Sequence, residues 1–175
     1  PGGSYENHDI ALTHDLLLRD LGCRWDMIGS LPPGWKESEA ADRARERINA
    51  VIDRDFAEHP LWAVKDPRMC RLMPMWLDIF DNRGIDPRFI LLARHPFEVA
   101  ASLEKRDGIE PVKSHLLWLI HNREALSACR ERPHVFMTFD RFLADPVSSL
   151  QTIKKGLDLD YPRHLEHSAQ EIINF

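Results

Sequence analysis

The chain has 175 residues, of which 43% are hydrophobic and 29% are charged, and its formal net charge is −5. A chain of this length and balance can bury one core, so we expect a single domain over residues 1–175. The acidic balance disfavours a general nucleic-acid binder, because such proteins usually carry a basic excess.

No apolar run approaches membrane-spanning length, and no signal peptide opens the chain. We therefore expect a cytoplasmic protein without a membrane segment. The three cysteines are far apart and the nine histidines are scattered, which predicts neither a disulfide framework nor a metal site.

The first half of the chain predicts two helices separated by a loop. An apolar stripe at helical spacing predicts a helix over Glu6–Leu21, which Gly22 ends. Trp25–Trp35 is predicted as a loop. Ser38 can then cap a helix that runs to about Glu58.

Leu61–Val64 is a short apolar run and is predicted to be a strand. It is followed at once by Lys65–Arg68, with the sequence Lys-Asp-Pro-Arg. A helix with Pro74 near its start comes next, and Gly84 closes it.

Phe89–Ala93 is a run of five apolar residues, which suits a strand buried on both faces of a parallel sheet. Arg94 follows at the carboxyl end of this strand. Pro96 stands where a helix can begin, and Ser102 lies about two turns into that helix.

Further along the chain, Pro111 opens a long helix to about Arg130, a third strand is predicted over His134–Phe139, and Pro146 opens another helix. The apolar side chains predicted to face inward on the long helix are Val112, Leu116, Leu119, Ile120 and Leu126. Alternating strands and helices predict an α/β fold with a mainly parallel sheet. Three strands are few for such a sheet, so we expect further strands to lie outside this chain.

Two of the predicted strands end in cations. Lys65 and Arg68 follow the first, and Arg94 follows the second. The tips of neighbouring parallel strands lie close together, and ligands of open α/β sheets collect there. The sequence therefore predicts a site for a phosphate or sulfate group at this edge of the sheet.

The segment Phe89–Arg106 resembles the 3′-phosphate-binding segment of sulfotransferases that use 3′-phosphoadenosine 5′-phosphosulfate (PAPS). Its arginine, the proline two residues later and the serine eight residues after the arginine all match. Trp62–Arg68 looks like the Lys-Asp-Pro strand end of the bacterial and tyrosylprotein-type members. Trp118 and Phe136–Pro146 resemble later segments, so the similarity runs over Glu6–Pro162.

The resemblance implies a fold similar to P-loop NTPases, a three-layer α/β/α sandwich with a mainly parallel sheet. It also implies an N-terminal strand and a glycine-rich loop that wraps the 5′-phosphosulfate. Pro1–Ser4 has no strand-loop-helix pattern and no Gly-Lys-Ser/Thr, so we expect the chain to begin after that strand and loop.

The resemblance also assigns roles to single residues. Arg94 and Ser102 would hold the 3′-phosphate, and Lys65 would neutralise charge on the bridging oxygen as the nucleotide leaves. Arg68 is a weaker candidate for the same anion site, because an arginine after a turn is as often an ordinary surface residue.

An acceptor hydroxyl needs a base within hydrogen-bond reach. Glu6 is the candidate, because some members carry a catalytic glutamate in the first helix after the loop. His95 is a rival base by position, although a residue beside the 3′-phosphate would be far from the sulfuryl group. Asp66 is expected to orient Lys65 or to cap the turn, and the tryptophans to line the core or a pocket.

The implied reaction is in-line transfer of a sulfuryl group from PAPS to a hydroxyl or amine, with adenosine 3′,5′-bisphosphate as product and no metal. The acceptor and the oligomeric state are not readable from the sequence. Two alternatives stay open. One is a non-catalytic nucleotide-binding or interaction module derived from this fold, and the other is a phosphotransferase of the P-loop kinase class, which would need a Walker-type loop and a magnesium carboxylate.

Overall fold

A computed structural model of the chain describes residues 6–161. The chain divides into two compact units between Asp86 and Pro87. Helices and a pair of parallel strands make up the described residues, which confirms the mixed α/β class. Of the helices described, none is both long and apolar enough to span a membrane.

Three α-helices form most of the first unit: α1 (His8–Asp20), α2 (Glu39–Val51) and α3 (Met69–Arg83). The side chain of Asn7 caps α1 by accepting hydrogen bonds from two backbone N–H groups, and Ser38 caps α2 as predicted. The apolar faces of the helices meet in one core, whose largest fully buried members include Ile10, Leu17, Ile48, Leu72, Met75, Trp76 and Ile79.

The end of α2 continues into a π-helical turn over Ile52–Phe56, where a simple α-helix was predicted. The ring of Phe56 stacks on Trp62, with centroids 4.7 Å apart and an interplanar angle of 10°. Trp62 also lies beside Phe80 of α3, with centroids 6.5 Å apart. These aromatic contacts anchor the segment that leads into Lys65.

The prediction of a strand at Leu61–Val64 is wrong for the described chain. Trp62 and Val64 are half-buried and their neighbours are exposed, which is the alternation of an extended segment. Among residues 6–161, however, the only sheet is the pair of strands in the second unit. A strand needs a neighbouring backbone to pair with, and a short apolar run cannot show whether one is present.

Helix α3 begins at Met69, directly after the Lys65–Arg68 segment, and not near Pro74 as predicted. Pro74 is therefore the sixth residue of the helix, where its missing N–H removes one bond of the helical ladder. The early start follows from a tight turn at Asp66, whose carbonyl accepts from the Met69 N–H at 3.0 Å.

The second unit contains strands β1 (Phe89–Ala93) and β2 (His134–Thr138), which pair in parallel from Phe89–His134 to Ala93–Thr138. Its helices are α4 (Pro96–Asp107), α5 (Pro111–Cys129), α6 (Phe139–Ala144) and α7 (Pro146–Leu157). Helix α7 covers one face of β2, where Met137, Ile153 and Leu157 form a buried cluster.

The expectation that Phe89–Ala93 is buried on both faces is also wrong for the described chain. Ile90 and Leu92 are 51% and 44% exposed, whereas Ala93 is buried. In a parallel pair each strand has one neighbour, and the described helices leave the face that carries Ile90 and Leu92 open.

The inward face predicted for α5 is likewise incorrect. Val112 is 72% exposed and Leu119 is 55% exposed, while the buried positions of the helix are Ser114, Leu117 and Cys129. Apolar side chains occur around the whole circumference of this helix, so their spacing does not identify the face that packs against α4 and β1.

Gly156 in α7 provides a stability test of the helix-on-strand packing. A Cβ added at Gly156 would lie 2.6 Å from Cγ2 of Val135 in β2, so one of the two elements must shift. We expect Gly156→Ala to lower the free energy of unfolding by about 1–3 kcal/mol, although alanine favours helix formation. Urea denaturation measures this. In the double variant Val135→Ala/Gly156→Ala the loss should be smaller than the sum of the single losses, and additivity would contradict the steric explanation.

Candidate functional site

The Lys65–Arg68 segment is a turn that joins the extended residues after the π-helical turn to α3. Oδ1 of Asp66 accepts a hydrogen bond from the backbone N–H of Arg68 at 2.7 Å. Capping the turn was one of the two roles predicted for Asp66. The turn places consecutive charged side chains on different sides of the backbone, with Asp66 buried and Lys65 exposed.

Lys65 and Glu6, the two predicted catalytic residues, are adjacent although they are 59 positions apart in the sequence. Nζ of Lys65 donates to Oε1 of Glu6 at 2.8 Å, and the two side chains are 67% and 17% exposed. Glu6 precedes the cap of α1 at Asn7, whose side-chain amide donates to Asp55 of the π-helical turn at 3.1 Å. The contact brings a cation and a carboxylate together at an accessible position, and their catalytic roles stay predictions.

Arg68 is held by carboxylates of its own unit. Its Nε and Nη2 donate to the two oxygens of Asp15 at 2.6 and 3.0 Å, and Nη1 donates to Asp66 at 3.0 Å. Burial would lower the pKa of Arg68, but the charge of Asp66 and the bonds to Asp15 outweigh it and raise the pKa. A role for Arg68 in an anion site stays a prediction, and it requires that an anion displace one of these carboxylates.

A buried polar chain behind the turn was not predicted. Nε1 of Trp76 donates to Nε2 of His14 at 2.9 Å, and Nδ1 of His14 lies 3.2 Å from Oδ2 of Asp66. Trp76 and His14 are fully buried. The signal was present in the sequence, because His14 lies between Ile10 and Leu17 at the spacing of the buried face of α1.

The environment of Asp66 stabilises its charged form. Burial alone would raise the pKa of this carboxyl, but hydrogen bonds from His14 and from the Arg68 backbone N–H, with the charge of Arg68, hold the pKa below its usual value. Asp66 is therefore a buried carboxylate with partners on both oxygens.

In the second unit, Arg94 stands at the carboxyl end of β1, as predicted. Its Nε donates to Oε2 of Glu98 at 2.8 Å, and its guanidinium carbon lies 5.6 Å from the ring centroid of Phe139. Trp118 of α5 donates from Nε1 to the Arg94 carbonyl at 2.8 Å. Phe139 directly follows β2, so the ends of both parallel strands contribute to the surroundings of Arg94.

The outer edge of the Arg94 guanidinium is open. Within the part of the chain that the structure describes, Nη1 and Nη2 have no polar partner, and the side chain is 47% exposed. These two nitrogens form the fork that binds a phosphate or carboxylate in a bidentate manner. Glu98 accepts a hydrogen bond from Nε, and its carboxylate adds a negative charge that would weaken the binding of an anion here.

Ser102 lies on α4 four residues after Glu98, which places the two residues on one face of the helix. Its side chain is exposed and makes no hydrogen bond to Arg94 among the described residues. His95, the rival base, lies with its ring 5.4 Å from that of Phe97, and Phe97 packs edge-on against His115 at 5.1 Å.

The sequence-predicted residues thus form two groups, each within one unit. Glu6, Lys65 and Arg68 are together in the first, and Arg94 and Ser102 belong to the second. The predicted convergence of both groups on one sheet edge stays a prediction. Residues 6–161 contain no cluster of three or more His, Cys, Asp or Glu side chains that could hold a metal ion.

Asp66 predicts a specific dependence of stability on pH. Because the fold lowers its pKa, the carboxylate contributes stability above the unfolded-state pKa of about 3.9. That contribution is lost as the pH falls from there through the lower folded-state pKa. At pH 7 we expect Asp66→Asn to lower the free energy of unfolding by about 1–3 kcal/mol, because an amide nitrogen cannot accept the hydrogen bonds from His14 and Arg68 that a carboxylate oxygen accepts.

Urea denaturation between pH 7 and pH 3 measures both effects. The Asp66→Asn variant should lose less stability over this interval than the wild type, whereas Glu46→Gln on the exposed face of α2 should follow the wild type. If the free energy of unfolding fell equally with pH in the wild type and in Asp66→Asn, another carboxyl would be responsible for the loss of stability in acid.

Comparison with known proteins identifies no relative. No protein-family model, no curated protein and no solved structure matches the chain. The geometry of the two groups of residues, together with the sequence motifs, therefore carries the functional inference.

Proposed function

We propose that the protein is a sulfotransferase that moves a sulfuryl group from PAPS to a hydroxyl or amine acceptor. The observation that carries the proposal is the position of Arg94 at the carboxyl end of β1, where the described residues leave its Nη1 and Nη2 without a polar partner. Anionic ligands of parallel α/β sheets bind at this position, and an open guanidinium fork suits a phosphate.

A P-loop NTPase-like three-layer fold is part of this proposal. It is supported by the parallel pairing of β1 and β2, by the helices that follow each strand, and by the exposed apolar face of β1. A parallel sheet of this class has both faces covered by helices and more than two strands.

In the proposed complex, Arg94 binds the 3′-phosphate of the nucleotide through Nη1 and Nη2, and the Ser102 hydroxyl donates a further hydrogen bond. Phe139 supports the guanidinium from below, and Trp118 holds the backbone of Arg94. Glu98, which pairs with Arg94, shares a face of α4 with Ser102, and this supports the role proposed for Ser102.

Lys65 and Glu6 carry the proposed chemical step. Glu6 accepts the proton of the acceptor hydroxyl. The oxygen of the acceptor forms a bond to sulfur as the bond between sulfur and the bridging oxygen of PAPS breaks. Lys65 neutralises the charge that grows on that bridging oxygen, and adenosine 3′,5′-bisphosphate leaves. The distance of 2.8 Å between Lys65 and Glu6 supports these two roles, because both groups already lie at one accessible position.

A non-catalytic nucleotide-binding module is the second candidate, and one observation favours it. Each proposed anion-binding cation of the first unit is paired with carboxylates of the chain itself, Lys65 with Glu6 and Arg68 with Asp15 and Asp66. A module of this kind would bind adenosine 3′,5′-bisphosphate through Arg94 without transferring a sulfuryl group. A kinase-like protein would instead bind ATP with magnesium.

The role of Arg94 is tested by Arg94→Ala. We expect the variant to bind adenosine 3′,5′-bisphosphate about 10- to 100-fold more weakly than the wild type, because two charged hydrogen bonds are lost. Isothermal titration calorimetry measures the affinity. A parallel titration with ATP and magnesium tests the kinase-like alternative. Arg130→Ala, at the exposed end of α5, is the matched control and should bind as the wild type does. Unchanged affinity in Arg94→Ala would remove Arg94 from the site.

The role of Lys65 is tested by Lys65→Ala. We expect turnover of PAPS to fall by about 10²- to 10³-fold, because charge on the leaving oxygen is no longer neutralised, with little change in nucleotide affinity. Radiolabelled sulfuryl transfer and calorimetry measure the two quantities separately, and Lys155→Ala in α7 serves as the control. A variant that lost nucleotide binding alone would show that Lys65 holds the nucleotide and does not take part in transfer.

A further inference from the structure

Helix α1 and the residue before its cap hold the Lys65–Arg68 turn through four side-chain pairs, one of which is the ion pair of Glu6 with Arg68 at 3.8 Å. Glu6 accepts from Lys65 at 2.8 Å, and His14 contacts Asp66 at 3.2 Å. Asp15, next to His14, accepts from Arg68 at 2.6 Å. Of these pairs only His14–Asp66 is buried, so it contributes where solvent does not compete.

The partners of His14 determine which of its ring nitrogens carries the proton. The indole N–H of Trp76 can only donate, so Nε2 of His14, which lies 2.9 Å away, must accept. The ring proton is therefore on Nδ1, from which it is donated to Oδ2 of Asp66. Trp76 thus selects the tautomer that can hold Asp66.

Because His14 donates to Oδ2 of Asp66, Oδ1 is available to cap the turn by accepting from the backbone N–H of Arg68. Both oxygens of Asp66 also accept from Nη1 of Arg68 at 3.0 Å. The orientation of the carboxylate therefore determines the path of the backbone from Lys65 to Arg68, and with it the direction in which Lys65 leaves the turn.

We propose that His14, held by Trp76 in the Nδ1–H tautomer, is a positioning residue that acts through Asp66 to place Lys65 against Glu6. Its importance for sulfuryl transfer rests on the proposed function, whereas the placement of Lys65 does not. A histidine that merely filled the core would have no such effect on an exposed lysine on the far side of the turn.

The tautomer is tested on the wild-type protein by two-dimensional proton–nitrogen NMR of the histidine side chains at pH 7. His14 should show a protonated Nδ1 and an unprotonated Nε2, and the Trp76→Phe variant should lose this strict preference. A wild-type His14 with its proton on Nε2 would overturn the proposal, because that ring could not donate to Asp66.

The positioning is tested by two substitutions that preserve different ends of the imidazole. His14→Asn keeps a donor near the position of Nδ1, and His14→Gln places its amide near the position of Nε2. Both lose one hydrogen bond, so a purely structural role predicts the same result for both. The readout is the rate at which Lys65 is acylated by an amine reagent, followed by mass spectrometry with Lys155 of α7 as the internal reference.

Glu6→Gln provides the acylation rate of an unpaired Lys65, which we expect to be about three-fold above the wild type, the size expected for an exposed ion pair. His14→Gln should approach that rate, and His14→Asn should stay near the wild type. Equal rates in the two histidine variants would overturn the proposal. If adenosine 3′,5′-bisphosphate did not bind the wild type at all, the proposed function would fail, while the acylation rates would still decide the role of His14.

Discussion

The buried carboxylate of Asp66 is the constraint on which the first unit depends. A charged group cannot stay buried unless its oxygens have hydrogen-bond partners, and Asp66 takes them from His14 on α1 and from the backbone and side chain of Arg68. His14 lies on α1 and Arg68 immediately precedes α3, so the carboxylate ties α1 to the start of α3. The turn that results directs Lys65 to solvent, where Glu6 meets it.

In the second unit, the exposed cation Arg94 is positioned by the ends of the parallel strands. Parallel strands end side by side, so the residues that follow β1 and β2 are neighbours whatever their separation in sequence. This places Phe139 beneath Arg94, while Trp118 on α5 fixes the Arg94 carbonyl. The carbonyl of Arg94 is held by Trp118, while residues 6–161 provide no polar partner for its Nη1 and Nη2.

Local signals in the sequence predicted the elements well where the backbone itself decides them. Ser38 caps α2, and the prolines at the starts of α4, α5 and α7 stand where a missing N–H does no harm. Predictions failed where the outcome depends on a partner elsewhere in the chain. Leu61–Val64 has a strand-like composition but finds no paired backbone among residues 6–161, and Ile90 has an apolar side chain that the described residues leave exposed.

The same distinction between local features and contacts with distant residues holds for the candidate site. The sequence alone shows that Lys65 follows a short apolar run, and it predicts that Arg94 follows a strand and that Ser102 lies on the next helix, because each of these features depends on neighbours in the chain. The folded structure was needed to show that Glu6 reaches Lys65, that Asp15 pairs with Arg68 and that Trp76 selects the tautomer of His14. These are contacts between side chains far apart in sequence, and they exist only once the helices have packed.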